Sequence, residues 1–137
     1  MGRILAVDLG TKRVGLAVTD PLKIVASPLQ AIPYRSRGQL ADTLSALVRA
    51  QAVETVVIGL PIGMDGREGE GCRRSQNLAR ELEQRGIRTV LWDERRSTRR
   101  AEQALREMGT SRKRAPRRLD GIAAALILRD YLECAGG

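Results

Sequence analysis

The chain contains no histidine and no phenylalanine. The first absence excludes a Ser–His–Asp triad, a Cys–His pair and a histidine-ligated zinc site, which leaves carboxylates, hydroxyls, lysine and metal ions as the means of catalysis. The second leaves one Trp and two Tyr as the whole aromatic content, so the core must be built from Leu, Ile, Val and Ala. Base stacking on aromatic platforms, the usual way to hold single strands, is largely closed to such a chain. Any nucleic acid partner would be read through its backbone and shape. Cysteine is scarce too: Cys72 and Cys134 stand far apart, follow no metal-ligand spacing and read as reduced thiols of a cytosolic protein. No apolar run is long enough to span a bilayer, and Met1 leads straight into a strand with no signal peptide. A cytoplasmic location with no membrane partner is expected.

What is present is enough for one domain. With 137 residues and 42% hydrophobic content, residues 1–137 are expected to fold around a single core. The net charge is +8, and its location says more than its size. Between Arg95 and Arg118 stand ten Arg or Lys against two Glu, so the whole surplus sits in that stretch. Nearly all of it is arginine, whose planar fork matches phosphate oxygens better than a point-charge lysine does. An anionic polymer is the expected partner, with Arg95, Arg112, Lys113, Arg114, Arg117 and Arg118, and Lys12 and Arg13 near the start, as candidate nucleic-acid contacts.

Hydrophobic periodicity predicts strands over 3–9, 14–19, 24–27, 54–60 and 88–93, the third ending before Pro28. Helices are predicted over 39–50, over 73–84 with Gly86 as cap, from Ser97 or Thr98 to Met108, and over Leu119–Leu132. Residues 33–38, 61–71 and 110–118 read as loops, the second rich in glycine and the third basic. Three consecutive strands followed by alternating helices and strands imply an antiparallel meander feeding a parallel half. That order is similar to the ribonuclease H-like one: an α/β fold with a mixed five-stranded sheet flanked by helices.

Acidic residues in three separate contexts then stand out. Asp8 lies at the end of the first strand and is followed by Gly10, where the backbone can turn sharply and a phosphate or metal can approach. Gly15, in the next strand, leaves room beside it. Asp93 and Glu94 end the last strand, and because adjacent strand residues point to opposite faces, at most one of them can join Asp8. Asp120 opens the final helix, where an acid is also favoured by the helix dipole. Each has a plainer reading, as a turn aspartate, a solvated strand exit and a helix cap respectively. Together they form a different prospect. Carboxylates at ~4 Å repel by roughly 4 kcal/mol per pair at an effective dielectric of 20, and a divalent cation would offset that. Oxygen-only ligands favour Mg²⁺ or Mn²⁺, and two such ions can activate water and stabilise the leaving oxygen of a phosphodiester.

Four ordered motifs carry a resemblance over nearly the full length. They are Ala6-Val7-Asp8-Leu9-Gly10-Thr11-Lys12-Arg13-Val14-Gly15-Leu16-Ala17, the loop from Gly59 to Gly69, Asp93-Glu94-Arg95 with Ser97-Thr98, and Leu119-Asp120-Gly121-Ile122-Ala123-Ala124. In these the chain resembles the YqgF/RuvX family, bacterial proteins assigned to Holliday junction resolution and to processing of the 5′ end of pre-16S ribosomal RNA. The resemblance implies a ribonuclease H-like nuclease whose metal-binding and catalytic residues are Asp8, Glu94 and Asp120, acting on structured RNA or branched DNA. Symmetric cutting of a junction would need two sites and hence a homodimer. Ala115-Pro116-Arg117-Arg118 departs from the lysine-rich run often found there. Two rivals stand beside the nuclease. The first segment also resembles the phosphate loop of actin-like and sugar-kinase ATPases, but those close two such domains over a nucleotide and this chain has length for one. A non-catalytic RNA-binding module for ribosome assembly would use the same basic stretch but would gain nothing from the three acids.

Overall fold

The structure, a computed structural model, describes residues 2–61, 69–93 and 116–135, with side chains in the last segment described over 122–134. Its elements are β1 (Arg3–Leu9), β2 (Arg13–Thr19), β3 (Ala26–Pro33), α1 (Arg37–Ala50), β4 (Val53–Leu60), α2 (Glu70–Gln84), β5 (Thr89–Asp93) and α3 (Pro116–Ala135). The strands form one five-stranded sheet in the order β3-β2-β1-β4-β5. β1 pairs antiparallel with β2, and β2 with β3, whereas β4 runs parallel to β1 and β5 parallel to β4. The meander and the parallel half stand as the sequence predicts, with β1 at the centre. The predicted helix through Met108 lies outside the described residues.

Alternation along the strands divides the core into two layers. Leu5, Val7, Val14, Leu16, Val18, Val56 and Ile58 pack on one face against Leu40, Ala41 and Leu44 of α1 and Leu78, Ala79 and Leu82 of α2. Ile4, Ala6, Ala17 and Val57 pack on the other against Ala124, Ile127 and Leu128 of α3. β1 and β4 are covered on both sides and consequently read as near-continuous apolar runs. Local signals place the helix ends. The Ser36 hydroxyl accepts from the Gln39 amide at 3.2 Å to cap α1. After α2, Gly86 sits at φ 81° and its N–H reaches the Glu83 carbonyl at 2.9 Å, as the predicted cap requires.

Three predictions are corrected. The second helix begins at Glu70, not Arg73, so it takes the end of the loop predicted over 61–71. The third strand does not stop before Pro28 but runs Ala26–Pro33, with Pro28 opposite Ala17. β3 is an edge strand, where a residue without an N–H deletes no interior ladder bond. The predicted start of that strand, Ile24 and Val25, is instead an exposed loop. The basic loop predicted over 110–118 also ends earlier, because α3 begins at Pro116. Proline's fixed φ suits the first helical position, where its missing N–H deletes no bond. Arg117 and Arg118 are therefore helical, and Asp120 is the fifth residue of α3, so no acid stands in its first turn.

Candidate active site

The parallel strands β1, β4 and β5 end on the same edge of the sheet, the place where open α/β sheets bind their ligands. β2 begins there and β3 ends there, since Arg13 lies opposite Pro33. α2 also starts at this end.

Asp8 is half-buried at the carboxyl end of β1. Its register partner on β2 is Gly15, and the residue of β4 after Ile58, the partner of Val7, is Gly59. Neither lateral neighbour brings a side chain beside the carboxylate. Asp8 continues the alternation Ile4, Ala6 and so belongs to the α3 face. Asp93 lies opposite Leu60, one residue beyond the Gly59–Trp92 pair, while Val90 and Trp92 pack on the α3 face. Asp93 is therefore on the opposite face of the sheet from Asp8. In α3, residue 120 precedes Ala124, which is fully buried against the sheet, by one helical turn. Glu94, Arg95, Arg112, Lys113 and Arg114 lie outside the described residues, as do the side chains of Arg117, Arg118 and Asp120. Of the predicted site, the described residues thus place Asp8, Lys12 and Arg13 together at one hairpin.

That hairpin turns through Gly10-Thr11-Lys12-Arg13, with the Gly10 N–H donating to the Arg13 carbonyl at 3.0 Å. A Cβ at Gly10 would stand 2.5 Å from that carbonyl oxygen, so the turn needs glycine for space. Lys12 is exposed at its tip. Three contacts reach the hairpin or the strand end beside it from residues that sequence reasoning did not single out. The Tyr34 N–H donates to the Lys12 carbonyl at 2.9 Å. Arg74 Nη2 donates to the Gly10 carbonyl at 3.0 Å, with its guanidinium 4.6 Å from the centroid of the Tyr34 ring. Fully buried Ser75 donates to the Gly59 carbonyl at 2.9 Å. α2 presses close at its start as well, since a Cβ at Gly71 would come within 2.8 Å of Pro61 Cγ. One signal for these residues exists in the sequence. Arg73-Arg74-Ser75 stand near the start of the helix that follows the glycine-rich loop, and Tyr34 is one of very few aromatics.

The donor chemistry at this end fits a hard divalent cation. The chain has no histidine, Asp8 offers carboxylate oxygens, and glycine on both sides leaves that carboxylate approachable. Among the described residues no donor lies within hydrogen-bonding distance of the Asp8 carboxylate and no group of three potential ligands comes together. No helix among them is long and apolar enough to cross a membrane. Neither Cys72 nor Cys134 forms a disulfide.

A meander joined to a parallel half, with an aspartate near the carboxyl end of the central first strand and a helix on that face of the sheet, is the ribonuclease H-like fold. The solved structures it resembles agree. RuvC of T. thermophilus in complex with a Holliday junction superposes with a TM-score of 0.57 at 15% identity, covering 98% of this chain and 96% of that one. The Fowlpox virus resolvase in complex with junction DNA superposes at 0.55 and 12% identity, covering 97% and 98%. The RuvX family, described as Holliday junction resolvase, matches residues 2–134, and the chain belongs to it. A protein of Ruegeria pomeroyi named "Putative pre-16S rRNA nuclease" is 40% identical over 131 residues, covering 95% of this chain and 85% of that one. One of the same name from Anaeromyxobacter sp. is 41% identical over 132 residues, covering 96% of each.

Proposed function

We propose that this protein is a divalent-metal-dependent nuclease that hydrolyses phosphodiester bonds in structured nucleic acid. The observation that carries the reading is the setting of Asp8: a half-buried carboxylate on a rigid central strand, between glycines, beneath a turn that presents Lys12 and Arg13. Family membership and the names of relatives at about 40% identity support it. Asp8, Glu94 and Asp120 would hold Mg²⁺ or Mn²⁺. Glu94 is preferred to Asp93 because Asp93 sits on the face of β5 opposite to Asp8. When bound, the metal supplies Lewis acidity to the phosphodiester and lowers the pKa of the attacking water. The chain's own residues do the rest. The three carboxylates orient the site. Lys12 and Arg13 at the hairpin tip, and Arg95, Arg112, Lys113, Arg114, Arg117 and Arg118, hold the phosphate backbone through charge-assisted hydrogen bonds.

The precursor of 16S ribosomal RNA is the substrate named for the 40% identical relatives, and the Holliday junction is the one named for the family. Either substrate implies work in the cytoplasm. Symmetric junction cutting further requires a homodimer, whereas trimming an RNA end does not. Incubation with a precursor 16S 5′-end RNA and with a four-way DNA junction, each with and without Mn²⁺, tests the reading. Cleavage that needs metal and disappears in Asp8→Asn is expected. Tight binding without cleavage of either substrate would instead identify a non-catalytic RNA-binding module.

A further inference from the structure

The turn between β1 and β2 carries Asp8 on one arm and Lys12 and Arg13 at its tip, and two carbonyls of that turn are gripped from outside. The Lys12 carbonyl accepts from the Tyr34 N–H at 2.9 Å, and the Gly10 carbonyl accepts from Arg74 at 3.0 Å. The two gripping residues touch each other, the Arg74 guanidinium lying 4.6 Å from the centroid of the Tyr34 ring. The contacts therefore close a circuit from β1–β2 through the end of β3 to α2 and back. We infer that Arg74 is a positioning residue for phosphodiester hydrolysis, locking the Asp8 hairpin against the carboxyl end of the sheet with the Tyr34 ring setting the plane of its guanidinium. This inference rests on the nuclease reading above.

Three features argue for it. First, Arg74 projects from a helix that is itself anchored, by Ser75 on the Gly59 carbonyl and by the close approach of Gly71 to Pro61. A lock needs a fixed base. Second, the contact uses what is particular to arginine. Its guanidinium donates to a carbonyl while its Cζ lies over an aromatic ring, and a lysine cannot do both in one geometry. Third, among the described residues no carboxylate pairs with Arg74. Arg85, at the C-terminal end of α2, pairs with Asp42 and Glu81 instead. Arg74 has no such carboxylate among the described residues, at the sheet end where phosphate is expected to bind. Residues that orient a metal ligand from behind cost roughly 10–100-fold in metal affinity or activity when removed.

The test compares Arg74→Met, Arg74→Lys, Tyr34→Leu, Tyr34→Phe and Asp8→Asn in the full chain. In Arg74→Met, kcat is expected to fall roughly 10–100-fold, with the Mn²⁺ concentration for half-maximal rate shifted upward. Tyr34→Leu should fall less. Tyr34→Phe keeps the ring and should restore kcat relative to Tyr34→Leu, whereas Arg74→Lys should not restore it relative to Arg74→Met. A second readout needs neither metal nor substrate. Amide exchange at Gly10, Thr11 and Lys12 should accelerate in Arg74→Met while exchange in α1 stays unchanged. Wild-type kcat and metal requirement in Arg74→Met would overturn the inference. So would a loss of activity matched by faster exchange throughout the core, which marks a merely structural residue. Asp8→Asn separates the site from its support: if it cuts at the wild-type rate, the nuclease site itself is misassigned; if it is inactive while Arg74→Met is not, only the positioning role fails.

Discussion

Asp8 and Asp20 each stand at or just past the end of an apolar strand, at opposite ends of the same sheet, and the backbone treats their carboxylates in opposite ways. Asp20 follows β2. Its carboxylate accepts from the backbone N–H groups of Val25 at 2.7 Å, Ile24 at 2.8 Å and Leu22 at 3.2 Å. Those bonds, Val25's foremost, hold its carboxyl below the ordinary carboxylate value. They also fasten the β2–β3 loop, in which Lys23 adopts φ 60° and pairs with Glu54. At the Asp8 end the donors go elsewhere. Arg74 and Ser75 donate to the backbone carbonyls of Gly10 and Gly59, on either side of the aspartate, and the carboxylate itself is flanked by glycine. At one end of the sheet the donors converge on a carboxylate and so make a loop. At the other they go to carbonyls near a carboxylate, which meets no donor among the described residues.

The contrast can be broken most severely at Asp8. Asp8→Asn should reduce cleavage by more than the roughly 10–100-fold expected of an outer-shell residue, while leaving the thermal transition in metal-free buffer nearly unchanged. In wild-type protein millimolar Mn²⁺ should raise the melting temperature by mass action, and the variant should lose that gain. A variant that kept both would show Asp8 to be a turn aspartate like Asp20. Next in size is the basic stretch. Replacing Arg112, Lys113 and Arg114 with Ala should weaken binding to junction DNA and structured RNA alike. The log–log salt slope on B-form duplex should shrink by about 0.9 for each phosphate that the variant no longer neutralises. An unchanged slope in a filter-binding titration would put the phosphate-binding surface elsewhere.

Ser75→Ala strips a buried hydrogen bond from the Gly59 carbonyl and should destabilise the fold by about 1–3 kcal/mol in urea denaturation. Because Gly59 is Asp8's neighbour, cleavage per folded molecule should fall as well, though less than in Asp8→Asn. The smallest effect on activity belongs to Asp20→Asn, for which cleavage should match wild type. Its signature is in stability against pH. The folded-state pKa of Asp20 is depressed, so its contribution is present above the unfolded value of 3.8 and is lost as pH falls through the folded value. Acid unfolding of Asp20→Asn should therefore be flatter below about pH 4 than that of wild type. If the two acid limbs coincide, the three N–H bonds do not act as described.

The order of strands and helices is legible because each element carries its own local signal: an apolar run for β1, a β-branched run for β4, a 3.6-residue stripe for α1, a glycine after α2. Sequence and structure part where a neighbour decides. Pro28 is a strand breaker by composition, and only the edge position of β3 makes it harmless. Pro116 reads as a loop residue because the arginines around it hide its fitness for a first helical turn. Ile24 and Val25 look like strand residues by type, but the Asp20 carboxylate takes their N–H groups first.

Composition and local pattern alone determined that this chain would form an α/β fold, without histidine chemistry, carrying its surplus charge in one arginine-rich stretch and acids at the ends of two strands. Those are properties of residue type and short-range spacing, which depend on no partner. Only the tertiary structure decided which carboxylate is held by backbone donors and which is not, that Asp93 faces away from Asp8, and that Arg74 and Tyr34 meet at the Asp8 hairpin. Tyr34 and Arg74 are far apart in sequence and no local preference brings them together. Their contact is set by sheet register and by the seating of α2 on the end of β4, which exist only once the chain has closed around both layers of its core.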